Sequence, residues 1–170
     1  MILEELIGGF PDGQGMVRVI IRLVIAMLLG GVVGVQRERT GKPTGVRTHM
    51  LVAMGGTVFV LAPMEFGMNA DGLSRVIQGL VTGIGFLGAG AILKLSEERE
   101  IAGLTTAAGV WMTAAVGVAV GLGRFGLAVV SMILTWITLS LVGKLEQRMT
   151  SKSADKAKDD MTRAGREPVC

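Results

Sequence analysis

Gly103–Gly123 reads GLTTAAGVWMTAAVGVAVGLG, a run of 21 residues without one charged side chain. A helix needs about 20 mostly apolar residues to cross the hydrocarbon core of a bilayer. This run meets that length, and the chain repeats the pattern on both sides of it. Val17–Val35, His49–Met64, Val76–Leu93 and Phe125–Val142 are further apolar runs, separated by short clusters of charge. The second is the shortest, ended by Pro63 and Glu65. The pattern predicts an all-α membrane protein, a bundle of five transmembrane helices spanning residues 1–149.

Composition agrees. Charged residues make up 18% of the 170, against about a quarter in a soluble domain. Mean hydropathy is +0.57. Glycine is abundant at 26 residues, as suits helices packed backbone to backbone. Cys170 is the single cysteine, so neither an intrachain disulfide nor a cysteine-based metal cluster is available. The acidic start, Glu4-Glu5, with no small-residue cleavage site behind it, argues against a cleaved leader.

Basic residues set the orientation. Arg37, Arg39, Lys42 and Arg47 follow the first run, Lys94 and Arg99 the third, and seven more lie beyond the fifth. The opposite side holds Arg18, Arg22, Arg75 and Arg124. Thirteen against four places the first group in the cytoplasm and predicts an N-out, C-in protein. Residues 150–170 mix Lys, Asp, Ser and Ala with little that is apolar, and are expected to form a basic, disordered cytoplasmic tail.

Glycine spacing carries the packing argument. Gly79, Gly83 and Gly90 share one face of the third run, while Gly85 and Gly88 fall on another. Small residues on two faces put this helix at the centre of the bundle. Gly30 and Gly34 in the first run, and Gly117 and Gly121 in the fourth, offer further close-approach faces. Smooth faces left over within one chain would serve a partner, either another inner-membrane protein or a second copy in a homodimer.

Polar residues within the runs are few. Gln78 and Thr82 share a face, as do Thr106 and Thr113, with Thr105 beside them. Hydrogen bonds between helices are their expected role, with a solute path as the functional alternative. Arg22 lies deep enough to face the bundle or to pair with Glu4, Glu5 or Asp12. Trp111 and Trp136 lie near mid-span, where packing is the default role. No carboxylate lies well inside a run, which counts against a proton-coupled pump and a dedicated Mg²⁺ cage. No nucleophile and base arrangement, phosphate loop or metal-ligand run is present, so the chain reads as no enzyme and as needing no cofactor. Nothing points to nucleic acid.

Three blocks together are specific. They are Gln36–Val52, QRERTGKPTGVRTHMLV, then Gly83–Gly90, GIGFLGAG, then Gly103–Trp111, GLTTAAGVW. In order and spacing they resemble the MgtC/SapB family of bacterial inner-membrane proteins, over about Arg22 to Gly123. The resemblance implies a plasma-membrane protein linked to growth at low Mg²⁺, acting either on other membrane proteins or as a transporter with Mg²⁺ as solute. Gln36 departs from the acid common there. Longer members carry a soluble C-terminal domain where this chain has its short tail. Within the first block Arg37, Glu38, Arg39, Lys42, Arg47, Thr48 and His49 are candidates for contact with an anion or a partner. Pro43 and Gly45 are expected to form a tight turn that fixes the loop.

Overall fold

The computed structural model describes residues 13–42, 44–95 and 100–142, of which 93–95, 100–102 and 142 are described by their backbone alone. The acidic start, Pro43, Glu97, Glu98 and the basic tail lie outside the described residues.

Five helices follow the five apolar runs. They are α1 (Gly13–Arg39), α2 (Val46–Glu65), α3 (Ala70–Gly90), α4 (Leu104–Gly121) and α5 (Phe125–Ile137), the last continued by a π-helical turn over Thr138–Val142. The first four are long and apolar enough to cross a membrane, and Phe125–Leu141 is a shorter apolar helix. A two-stranded antiparallel ladder, β1 (Leu93–Leu95) and β2 (Glu100–Ala102), joins α3 to α4 with Leu93 opposite Ala102. This ladder departs from a purely helical reading.

Local chemistry sets the boundaries. The Asn69 side chain accepts from the Gly72 N–H at 2.9 Å and caps α3, which therefore begins six residues before the apolar run and takes in Arg75. Pro63 lies inside the last turn of α2 instead of ending it. Gly103 has a φ of +96°, a conformation that glycine adopts without strain, and it turns the chain from β2 into α4.

The chain divides into two compact units, one ending at Trp136 and one beginning at Ile137. In the first, α2 and α4 pack on each other and on α1. Glycine makes this close approach. A Cβ at Gly30 would stand 2.5 Å from the His49 carbonyl oxygen, and one at Gly34 would stand 2.5 Å from the Val46 Cα. On the other side of α2, a Cβ at Gly56 would stand 2.8 Å from the Ala114 carbonyl oxygen, and one at Gly117 would run into the Ala53 backbone. Ala26, Ala53, Val116, Ala119, Val120 and Ala128 form the larger apolar cluster, with Met132 of α5 against it.

The expected centre of the bundle is therefore corrected. α3 is peripheral, and α4 is the most enclosed of the four long helices, with 56% of its apolar stretch buried against 17% for α3. Gly79, Gly83, Gly85 and Gly90 have nothing within 4 Å of where a Cβ would stand, whereas Gly88 meets Ala107 of α4 at 3.6 Å. Spacing alone reports that a helix can be approached closely, not whether a neighbour has done so. The tryptophans also differ from expectation. Trp111 and Trp136 are each 44% exposed on outer faces.

Candidate functional site

The polar groups of the core form one line along α4. At its start, the guanidinium Nη2 of Arg37 donates to the Thr106 hydroxyl. Two turns on, His49 Nδ1 lies 2.7 Å from the Thr113 hydroxyl. The Thr57 hydroxyl is 2.8 Å from the Gly117 carbonyl oxygen and shares its proton with Ala53, whose carbonyl oxygen is 3.0 Å away. At the far end, Arg22 Nη1 donates to the Gly121 carbonyl at 2.7 Å. From Thr106 to Gly121 the line extends about 22 Å at the rise of an α-helix.

Each rung answers a local need. Arg22 faces the C-terminal carbonyls of α4, where a cation opposes the negative end of the helix dipole. Arg22 thus faces the bundle, the first of the two expectations for it; Glu4, Glu5 and Asp12, the partners named by the second, lie outside the described residues. Thr57, Thr106 and Thr113 are almost fully buried, as is His49. In a bilayer such groups need protein partners because lipid supplies none. The line is not fully satisfied, however. Arg37 Nε, His49 Nε2, Gln36 Oε1 and Thr44 Oγ1 are buried without a hydrogen-bond partner among the described residues.

The seven candidates of the first sequence block separate. Arg37 and His49 turn inward and are buried. Arg39, Lys42, Arg47 and Thr48 are exposed. Glu38 takes a third role: its carboxylate accepts from the Val46 N–H at 3.2 Å, across the α1–α2 loop, at the first residue of α2. The loop is thus tied down by Glu38, in addition to any turn at Pro43.

The expected intramembrane polar residues separate too. Thr106 and Thr113 do bridge helices. Gln78, Thr82 and Thr105 are exposed, and the Thr82 hydroxyl donates to the Gln78 carbonyl within α3 itself. The glycine faces of α1 and α4, at Gly30, Gly34, Gly117 and Gly121, are used up inside the chain. Thr57 was not singled out by sequence. Its signal was available, since it stands eight residues after His49 on the same face of α2 as Ala53, Gly56 and Val60. Among the described residues no group of three or more His, Cys, Asp or Glu side chains is placed to hold a metal ion.

The comparison with known proteins accounts for the three sequence blocks. The model of the MgtC family matches residues 23–148. The chain belongs to the MgtC family. It is 42% identical over 137 residues to Protein SrpB of Synechococcus elongatus, covering 74% of this chain and 75% of SrpB. It is 38% identical over 143 residues to the Escherichia coli K12 protein named "Putative magnesium transporter YhiD", covering 79% of this chain and 65% of YhiD. It is 39% identical over 130 residues to Protein MgtC of Salmonella typhimurium, covering 76% of this chain and 54% of that protein. The chain thus spans about half to three quarters of these relatives' own lengths. No solved structure matches the chain. Family membership and four long apolar helices make it a multi-pass membrane protein of a Mg²⁺-related family.

Proposed function

We propose that this protein is a non-catalytic accessory factor of the bacterial inner membrane, which adapts the cell to Mg²⁺ limitation or related stress by contacting other membrane proteins. In this reading all five helices cross, the N-terminus lies outside, and the basic tail lies in the cytoplasm beside anionic lipid.

One observation carries the proposal. α3 presents Gly79, Gly83 and Gly90 on one face with open space where another helix would pack, while Gly30 and Gly34 of α1, Gly56 of α2, and Gly117 and Gly121 of α4 are filled. Lipid offers little drive for helices to associate, so a smooth glycine face gains most from van der Waals contact with another helix. Phe86 and Leu87 are exposed on the same helix and flank this face with apolar surface.

The alternative is a transporter or channel for Mg²⁺ or another small solute. It is favoured by the name of the Escherichia coli relative and by the line of polar groups along α4. Two measurements separate the readings. Liposomes holding only the purified protein are tested for Mg²⁺ uptake, and native membranes are cross-linked from position 83 after Gly83→Cys. Trapping of a membrane protein, or of a second copy, without Mg²⁺ flux is the expected result. Robust saturable uptake by the protein alone would replace the accessory role with transport.

A further inference from the structure

We propose that the N-terminal end of α4, together with Arg37, binds a phosphate-type oxyanion. The argument begins with two helix N-termini that lie near one end of α1 and are treated in opposite ways by consecutive residues. Unpaired N–H groups and the helix dipole make each N-terminus favour negative charge. Glu38 meets that need at α2, through its carboxylate on the Val46 N–H. Its neighbour Arg37 reaches α4 instead, and it brings a positive charge to the first turn, at Thr106.

Among the described residues no side chain caps α4. Its N-cap is Gly103, which makes no side-chain hydrogen bond, and its first main-chain bond runs from the Ala107 N–H to the Gly103 carbonyl. The N–H groups of Leu104, Thr105 and Thr106 precede that bond. A helix N-terminus alone would say little, but Arg37 is an independent observation. It is only 3% exposed, its Nη2 is held on Thr106, and its Nε–H is buried without an acceptor among the described residues. Among the described residues no carboxylate pairs with this guanidinium; burying it unpaired is costly, and that cost is relieved when an anion binds. Helix N–H groups and an adjacent arginine are the usual components of a phosphate cradle.

Access is provided by the same turn. Leu104 is 58% exposed, and Thr105 is also exposed, so the outward side of the first turn is open while Arg37 supports it from within. Exposed Arg39, Lys42 and Arg47 occupy the end of α1, the loop and the start of α2, where they raise the local concentration of anions. The chemistry is shared by inorganic phosphate and by the phosphodiester of a lipid headgroup. This site does not involve the α3 face, so it stands or falls separately from the proposed partner contact.

The test uses the full chain. Orthophosphate is titrated into protein purified in a neutral detergent. In parallel, native mass spectrometry follows retention of phosphatidylglycerol after reconstitution in phosphatidylcholine discs with and without that lipid. The expected result is one bound equivalent of at least one of the two, weakened at least tenfold by Arg37→Gln and little changed by Arg75→Gln, at an exposed position on α3 away from the site. The arm that binds identifies the source of the phosphate. Because Arg37→Gln could unfold the chain, a second reading uses the wild type with ¹⁵N-labelled arginine, in which one Nε–H resonance should shift on saturation. Binding of neither probe, equal binding by folded Arg37→Gln, or no shift of any arginine Nε–H would overturn the site.

Discussion

The Thr113 hydroxyl connects His49 to the α4 backbone: it lies 2.7 Å from His49 Nδ1 and donates its single proton to the Gly109 carbonyl at 2.8 Å. Having given up that proton, it can only accept from the ring, so Nδ1 carries the hydrogen in this arrangement. In the neutral ring the buried Nε2 is then an acceptor. The packing of α2 on α4 thereby pairs the histidine with a buried hydroxyl.

This relationship predicts a measurable coupling. Thr113→Val removes the acceptor and leaves a buried N–H unpaired, at a cost of about 1–3 kcal/mol. Thr105→Val, at an exposed position on the same helix, should change stability little. Thermal unfolding in detergent compares the two. A His49→Ala, Thr113→Val double-mutant cycle should return a coupling of about 1 kcal/mol; additivity within error would mean the pair does not interact.

The glycines sort into two groups that substitution will distinguish. Gly34→Leu and Gly117→Leu drive a side chain into a neighbouring backbone and should abolish the folded, monodisperse protein in size-exclusion chromatography. Gly83→Leu meets open space and should leave the fold intact while reducing cross-linking to a partner from Gly79→Cys. A misfolded Gly83→Leu would show that this face is already occupied within the chain.

Arg22 should behave as a helix C-terminal clamp. Arg22→Met removes its charged hydrogen bond to the Gly121 carbonyl and its interaction with the α4 dipole, together about 1–3 kcal/mol. Arg22→Lys keeps the charge and should recover part of the loss. Unfolding temperatures of the three proteins give the order; equal losses for Met and Lys would assign the effect to geometry instead of charge.

Both tryptophans should report lipid. Trp111 and Trp136 are 44% exposed on outer faces, so brominated acyl chains should quench the fluorescence of Trp111→Phe and Trp136→Phe proteins alike. A tryptophan that stays unquenched would be covered by protein, and would mark an additional contact surface.

Orientation is testable by reporter fusions. Fusions after Met68 and after Arg124 should read outside, and those after Thr40, Glu98 and Ser153 cytoplasmic. A cytoplasmic signal at Met68 would mean that α2 does not cross, and the side assigned to the later segments would change with it.

How much was legible in the sequence follows from what kind of interaction each feature depends on. Helix positions depend on runs of neighbouring apolar residues, so Val17–Val35 and Gly103–Gly123 identify α1 and α4 to within a few residues. The family blocks are local in the same sense. The partners of Arg22, Arg37, His49 and Thr57 stand 99, 69, 64 and 60 residues away. No local pattern specifies which helix faces which, so these pairings appear only once the helices pack. The glycines make the same point. Gly34 and Gly83 each sit in a close-packing spacing, yet a Cβ at Gly34 would strike α2 while one at Gly83 would meet nothing. Arg37 and Arg39 look alike as loop charges. Two residues on a helix turn the side chain by about 200°, so one is buried under α4 and the other is exposed to solvent. Hydropathy and charge along the chain determined that this protein crosses a membrane. Only the packing of α1, α2 and α4 decided which of its small and polar residues are filled, paired or left open.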